Sequence, residues 1–525
     1  MPALLAARAA ETPGAVAVVD GDTVLTYGDL AGQARSFAAG LVEAGIAVGD
    51  RVAIWAPNSA AWIVSMLGIW SAGAVLVPLN TRYRAREAAD ILRRSGARML
   101  LSVGDFLGRD YPAELVGHDL PALRDVLALD GRGEGPAPGG RRRRWEEGLS
   151  TDPAATAEVL RRVETLAGAD AMDVMFTSGT TGRPKGVQAA HGPVLRAYRY
   201  YADALGIRAD DRYLLVNPLF HSFGSRAGVV AALCAGASIF PVATFDPARA
   251  AELIAGAGIT VLPGPPTVYQ SLLALPAGTK ATLRSLRLAV TGAAAVPVTL
   301  LARMADELGF DTVLTAYGLT ECGGLVTMCR AGDPPEVVSR TSGRPIPGVE
   351  IAVVDPGGRR LPAGVAGEVV VRGYVVMTGY VDDPVATKEV LDDAGWLRTG
   401  DVGVIDEDGG LRITDRLKDM FIVGGFNAYP AEIEAALVRH PSVAAAAVVG
   451  VPDTRLGEVG HAFVVGRPGC HVEAAEVLEW CRGELANFKV PRAVTVVPAL
   501  PTNASGKVVK DELRRLAGAG AGGEQ

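Results

Sequence analysis

The chain has 525 residues, 49% of them apolar and 21% charged, and a net charge of −7. That length excludes a single small domain, the composition suits a globular protein with a large core, and the acidic balance argues against nucleic-acid binding. Five cysteines (Cys234, Cys322, Cys329, Cys470, Cys481) show no CxxC spacing, which points to reduced thiols and away from a disulfide framework or zinc site.

Residues 1–50 open with a helical pattern, then a strand at 15–19, a Gly21-Asp22 turn and a helix that ends near Gly45. A buried strand is expected at 51–55. Helices at 59–71 and 84–95 then alternate with strands at 74–79 and 98–102, the pattern of a parallel sheet covered by helices. Residues 61–79 carry no charge and imitate a membrane span. Ser65, Gly68, Ser71, Gly73 and Pro78 instead predict a core helix followed by a short strand. No basic segment followed by an apolar core opens the chain, so a cytoplasmic protein is expected. The Gly/Pro-rich stretch 131–144, with four adjacent arginines, is expected to be a solvated, mobile loop and not a phosphate site.

An apolar run then enters Phe176-Thr177-Ser178-Gly179-Thr180-Thr181-Gly182-Arg183-Pro184-Lys185-Gly186. Hydroxyls and backbone N–H groups in such a turn suit an anion, glycines allow close approach, and Lys185 brings positive charge. It is not a Walker A loop, because Gly186 stands where that loop needs Ser or Thr. The stretch resembles the phosphate-binding signature of the adenylate-forming superfamily: acyl-CoA synthetases, peptide-synthetase adenylation domains and luciferases.

Further parts expected of that superfamily follow in order. A strand at 213–216 leads to Phe220-His221; the resemblance places His221 at the carboxylate entrance. A strand ending at Thr291 runs into Gly292-Ala293-Ala294, the implied wall of an adenine pocket. Tyr317-Gly318-Leu319-Thr320-Glu321 offers an aromatic face for adenine, a hydroxyl for the α-phosphate and a carboxylate for Mg2+. From Ser339 shorter strands suggest a small β-rich subdomain, which includes Met377-Thr378-Gly379-Tyr380. Asp401 after a Thr-Gly turn matches the superfamily's ribose-binding aspartate, and Arg416 is implied as a second ribose contact. Lys418 is implied as the hinge of a rotating lid, Gly424, Gly425 and Phe426 as the lining of a pantetheine tunnel, and Lys507 as the catalytic lysine. Seven lysines stand beside forty-four arginines, which marks the lysines as candidates for sites needing a compact ammonium.

The fold class so implied is a large α/β N-terminal domain over 1–415, made of two stacked α/β subdomains and a small β-rich one. A mobile α+β lid over 416–517 and a disordered tail at 518–525 follow. ATP, Mg2+ and coenzyme A are the implied cofactors. Lys185, His221, Thr320, Glu321 and Lys507 are the implied catalytic residues, and Thr177, Ser178, Gly179, Thr180, Thr181 and Gly182 line the nucleotide site. A small carboxylic acid is the expected partner; no nucleic acid or membrane insertion is expected, and a homodimer is compatible.

The chain is also similar to bacterial acyl-CoA synthetases of steroid breakdown, which activate a propanoate on a fused two-ring diketone. The matching stretches are 75–83, 261–273, 289–297, 313–321, 327–330 and 415–434. Ser222, Ser225, Arg226 and Cys322-Gly323-Gly324 are where the identity of the acid pocket is expected to vary. The alternatives are an enzyme of secondary metabolism that activates an aryl acid, or nitrite for diazotisation of an aryl amine, and a non-catalytic nucleotide-binding relic. A peptide-synthetase domain would be followed by a carrier segment with a Ser-bearing motif, which 508–525 does not provide.

Overall fold

The structure is a computed structural model. It describes residues 1–177, 184–292, 296–417, 419–423, 426–453, 456–485, 487–503 and 507–520, without the side chains of Arg141, Arg416, Phe426, Asn427, Ala519 and Gly520. The chain forms two compact units, Met1–Glu350 with Val371–Leu397, and Ile351–Val370 with Arg398–Gln525.

The first unit holds two helix-covered sheets. One has seven strands, in the order Lys185–Ala190, Ala171–Thr177, Val75–Pro78, Arg51–Trp55, Met99–Ser102, Asp125–Ala128 and Arg143–Arg144. Its neighbours are parallel except the first two. The other sheet runs from Thr23–Thr26 through Val16–Asp20 and Ser238–Pro241 to Arg212–Leu215. Parallel bridges through Val261 carry it on to Leu288–Thr291 and Thr312–Tyr317. This is the expected architecture of largely parallel sheets covered by helices.

The charge-free stretch resolves as helix Ala60–Ser71 and strand Val75–Pro78. Every helix residue except Ala61 is buried, because the helix packs on the sheet and on helix Tyr27–Glu43. Gly68 makes that packing possible: a Cβ there would lie 2.8 Å from the Ala34 carbonyl oxygen. Among the described residues no helix is long and apolar enough to cross a membrane.

The expectation of a solvated 131–144 loop is overturned. The segment forms strands Pro136–Ala137, Gly140–Arg141 and Arg143–Arg144, and Arg142 is buried. Its guanidinium donates to Asp110 Oδ1 at 2.6 Å and to the carbonyls of Arg132 and Glu134. Composition read the glycines and prolines as disorder, whereas fixed acceptors replace the water that a mobile arginine would need.

The second unit contains the larger part of a sheet ordered Val349–Val354, Gly367–Gly373, Leu397–Ile405, Leu411–Arg416. It also contains a five-stranded sheet built on the long hairpin Val443–Asp453 and Gly457–Gly466. Helices Pro430–Val438 and Ala474–Glu484 cover that sheet through Ile433, Leu437, Val477 and Cys481, which are buried with Val448 and Val464. Helix Lys510–Gly520 adds Leu513 against Val449 and Phe463.

His191 gives the first unit a pH dependence. It starts helix His191–Leu205, is buried, and meets the Trp70 ring edge-on at 6.0 Å. Burial pushes its pKa down to about 3, so it is neutral at working pH. An exposed histidine in the unfolded chain titrates near about 6.5. Between those values only the unfolded chain takes up the proton, so stability present above about pH 6.5 falls on acidification by about 1.4 kcal/mol per pH unit. Denaturation midpoints measured from about pH 6.5 to 4.5 should show a slope one proton shallower in His191→Phe than in wild type; equal slopes would refute the assignment.

Candidate active site

Strand Ala171–Thr177 and its antiparallel return Lys185–Ala190 form a stem in which Thr177 and Lys185 stand opposite each other. Arg94, on helix Ala85–Ser95, braces both sides of that stem at one end. Its guanidinium lies 5.3 Å from the centre of the Phe176 ring, and Nη1 donates to the Pro184 carbonyl at 2.5 Å. Ser178, Gly179, Thr180, Thr181 and Gly182, expected to contact phosphates, lie outside the described residues.

Glu321 sits on the short helix Thr320–Cys322, just past strand Thr312–Tyr317. Its Oε1 accepts the Thr177 hydroxyl at 3.4 Å and the Tyr380 hydroxyl at 3.1 Å. The Lys185 ammonium lies 4.9 Å from the centre of the Tyr380 ring. Three expected residues (Thr177, Lys185 and Glu321) therefore meet around one that was read only as part of a β-rich segment. Burial, and then the charge of Glu321, push the Tyr380 phenol well above its ordinary range, so it stays protonated and donates. Among the described residues no group of three or more His, Cys, Asp and Glu could hold a metal. A lone half-buried carboxylate with one oxygen hydrogen-bonded suits a hard cation that shares its shell with phosphate oxygens and water, and does not suit zinc.

Beneath this cluster is a charged pair in the core. Asp173, four residues before Thr177, accepts from Arg226 Nη2 at 2.6 Å, with the two side chains 1% and 0% exposed. Arg226 belongs to a widened helical turn, Ser225–Val230, inside the helical stretch that begins at Ser222. Gly323, in the turn after Glu321, lies against it, for a Cβ there would come 3.7 Å from Arg226 Nη1. The Tyr198 hydroxyl donates to the Gly323 carbonyl at 3.2 Å. Burial pushes the Asp173 carboxyl up, and the guanidinium opposes this.

Gly292 and Tyr317-Gly318 also come together. Thr291 and Thr315 are parallel partners, and a Cβ on Gly292 would lie 2.8 Å from the Ala316 carbonyl oxygen. On Gly318 a Cβ would collide with the Gly324 carbonyl at 2.2 Å, so only glycine fits. Ala293 and Ala294 lie outside the described residues. His221 is exposed at the start of helix Ser222–Gly224, where its Nδ1 accepts the Phe223 N–H at 3.2 Å. In the neutral ring that leaves the proton on Nε2.

Within the second unit, Asp401 and Arg416 are cross-strand partners. A register shift makes them so: Gly403 pairs with Ile413 but Val402 with Asp415. Without the extra residue Thr414, Asp401 would face Asp415, a like-charged neighbour. Asp415 is used elsewhere, its Oδ2 accepting the Ala431 N–H at 3.0 Å at the start of helix Pro430–Val438. Lys507 is exposed, in a loop closed by its N–H on Asn503 Oδ1 at 2.9 Å and by the Thr502–Val508 bridge. Lys418, Gly424 and Gly425 lie outside the described residues, as does the side chain of Phe426.

The residues that sequence reasoning missed are Tyr380 and Asp173. The only signal for Tyr380 was its Thr-Gly-Tyr context, in which Gly379 is required at φ +153° with Thr387 Cγ2 3.0 Å from any Cβ. For Asp173 it was a charge inside an otherwise apolar strand.

A family model described as AMP-binding enzyme matches residues 5–381, and one described as AMP-binding enzyme C-terminal domain matches 432–507. A Mycobacterium tuberculosis 3-[(3aS,4S,7aS)-7a-methyl-1,5-dioxo-octahydro-1H-inden-4-yl]propanoyl:CoA ligase is 49% identical over 516 residues, covering 98% of both chains. A Rhodococcus jostii protein of the same name is 48% identical over 518 residues, again covering 98% of each. Among solved structures, ATP-bound MatB from Rhodopseudomonas palustris superimposes with a TM-score of 0.86 at 31% identity, covering 98% of each chain.

The buried pair makes a stability prediction. Arg226→Met alone leaves an unpaired carboxylate in the core and should cost about 3–5 kcal/mol. Adding Asp173→Asn should recover much of that loss in urea denaturation. A double variant no more stable than Arg226→Met would show that the ion pair is not what the arginine provides.

Proposed function

The chain belongs to the AMP-binding enzyme family, and on that premise we propose that its acid is a propanoate carried on a fused two-ring diketone. The observation that carries this reading is the 49% identity, across the whole chain, to a ligase named for such an acid. The protein is an ATP-dependent acid–CoA ligase that forms an acyl adenylate and then a thioester. Neither the aryl-acid and nitrite reading nor the nucleotide-binding relic is favoured. Lys185, Glu321, Asp401, Arg416 and Lys507 are all present.

In the first half-reaction a carboxylate oxygen bonds to the α-phosphorus of ATP and the bond to the bridging oxygen breaks, releasing diphosphate. In the second the CoA sulfur attacks the acyl carbon, the bond to AMP breaks, and the thiol proton is lost. The adenylate is needed because a carboxylate is a poor electrophile and AMP a good leaving group.

Negative charge builds on the phosphates in the first step, so fixed cations and donors carry most of the rate. Lys185 and Thr177, at the head of the stem, would hold the departing phosphates, and the Thr320 hydroxyl the α-phosphate. Tyr317 and Gly292 would take adenine, Asp401 and Arg416 the ribose, and His221 the acid at its entrance. Lys507 would bridge carboxylate and α-phosphate. Glu321 would hold Mg2+, which when bound supplies charge neutralisation at the diphosphate. We further propose that the chain divides at 415/416, that Lys418 is the pivot by which the C-terminal part turns between half-reactions, and that Gly424, Gly425 and Phe426 then meet pantetheine. Consumption of ATP and CoA suits a cytoplasmic setting.

Incubation with Mg2+, ATP, CoA and a panel of fatty, aryl and bicyclic propanoic acids should give CoA-dependent AMP release that is fastest with the bicyclic diketone. Faster turnover of an aryl acid, or AMP release indifferent to CoA, would refute the substrate assignment.

The half-reactions should also separate. Lys507→Ala should lower adenylation by at least about 10²–10³ while sparing thioester formation from supplied acyl adenylate. Lys418→Pro should do the reverse, releasing diphosphate but making no thioester. Equal loss of both halves in either variant would sink these roles.

A further inference from the structure

Tyr380 stands between two opposite charges that serve the same nucleotide. Its hydroxyl donates to Glu321 Oε1 at 3.1 Å, and its ring lies under the Lys185 ammonium at 4.9 Å from the centroid. Among the described residues no ion pair joins Lys185 to Glu321, although both reach the one side chain.

The ring is held from several directions. Val381 N–H donates to the Gly186 carbonyl at 2.8 Å, Val187 and Tyr380 form an antiparallel bridge, and Tyr380 N–H donates to Thr387 Oγ1 at 2.9 Å. Thr387 lies on helix Pro384–Val390, which is capped by Asp383 and packs against Gly379. The tyrosine is thus fixed to the strand that begins with Lys185 and cannot follow either charge.

A lysine and a glutamate at this separation attract each other, and a direct pair would neutralise both. An aromatic face attracts an ammonium without cancelling its charge, and a phenol orients a carboxylate while keeping it anionic. We propose that Tyr380 is a positioning residue that keeps Lys185 and Glu321 apart, so that the lysine meets phosphate and the glutamate meets the metal. This rests on the nucleotide reading given above and adds to it a residue that touches neither ligand. With the Thr177 hydroxyl and the phenol both on Oε1, the other oxygen of Glu321 is the one left to the cation.

The test compares wild type, Tyr380→Phe and Tyr380→Leu in the full chain. ATP binding in the presence of chelator is measured by calorimetry, and Mn2+ binding to the ATP complex by electron paramagnetic resonance. Tyr380→Phe keeps the ring and should bind ATP in chelator within about twofold of wild type, yet Mn2+ roughly tenfold more weakly, the size of losing one hydrogen bond to a charged group. Tyr380→Leu lets the charges pair and should weaken both probes by about tenfold or more. Wild-type binding of both probes by Tyr380→Leu would overturn the inference, as would equal loss of both probes in Tyr380→Phe. A wild-type protein that binds neither probe would overturn the nucleotide reading along with it, a result distinct from variants that match a binding wild type.

Discussion

The arrangement of the first unit depends on a carboxylate and a guanidinium buried together. Asp173 lies in a strand whose middle residues are all buried, as in a sheet covered on both faces, and a lone charge there would be heavily penalised. Arg226 answers it from the helical stretch after His221, and the same guanidinium lies against Gly323, just past Glu321. One directional contact therefore relates the strand that ends at Thr177, the segment that follows His221, and the turn that follows Glu321. Apolar packing between these parts would tolerate a slide of an ångström or so; an ion pair with fixed geometry does not. Its two further guanidinium nitrogens, Nε and Nη1, find no acceptor among the described residues, so the arrangement is held at an energetic cost.

How much of this was legible in the sequence divides by range. Alternating helices and strands, the core helix at 60–71 and the order of the motifs could be read because each is local: periodicity, a turn, a short run of hydroxyls and glycines. Thr177, Lys185 and Glu321 could be named for the same reason. Tyr380 could not, since it is 59 residues from Glu321 and reaches it by way of long-range contacts such as the bridge to Val187. Arg142 failed in the opposite sense. Its neighbours are glycines, prolines and arginines, the marks of a solvated loop, and the acceptor that buries it, Asp110, is 32 residues away.

Register is another property that spacing cannot give. Arg416 lies fifteen positions after Asp401, and an uninterrupted hairpin over that span would set Asp401 against Asp415. One extra residue, Thr414, shifts the last two pairs and exchanges a like-charged neighbour for a basic one. It also releases Asp415 to bind the first turn of helix Pro430–Val438, where a carboxylate meets unpaired N–H groups. A single irregularity so serves both the pairing of two expected ribose contacts and the anchoring of the next helix. Neither consequence is visible in the residue order.

The scarcity of lysine marks sites only in combination with place. Lys280, Lys489 and Lys510 each pair with a glutamate (Glu307, Glu432 and Glu434), doing what the far more numerous arginines do elsewhere. Rarity alone would have marked all three. What distinguishes Lys185 is its position at a strand end opposite a threonine, with an aromatic ring in place of a carboxylate beneath it. That environment preserves a compact, strongly hydrated point charge, which a guanidinium fork does not reproduce. A compact and undiminished charge is what this position offers, and Tyr380, the residue beneath that charge, stands far from it in sequence.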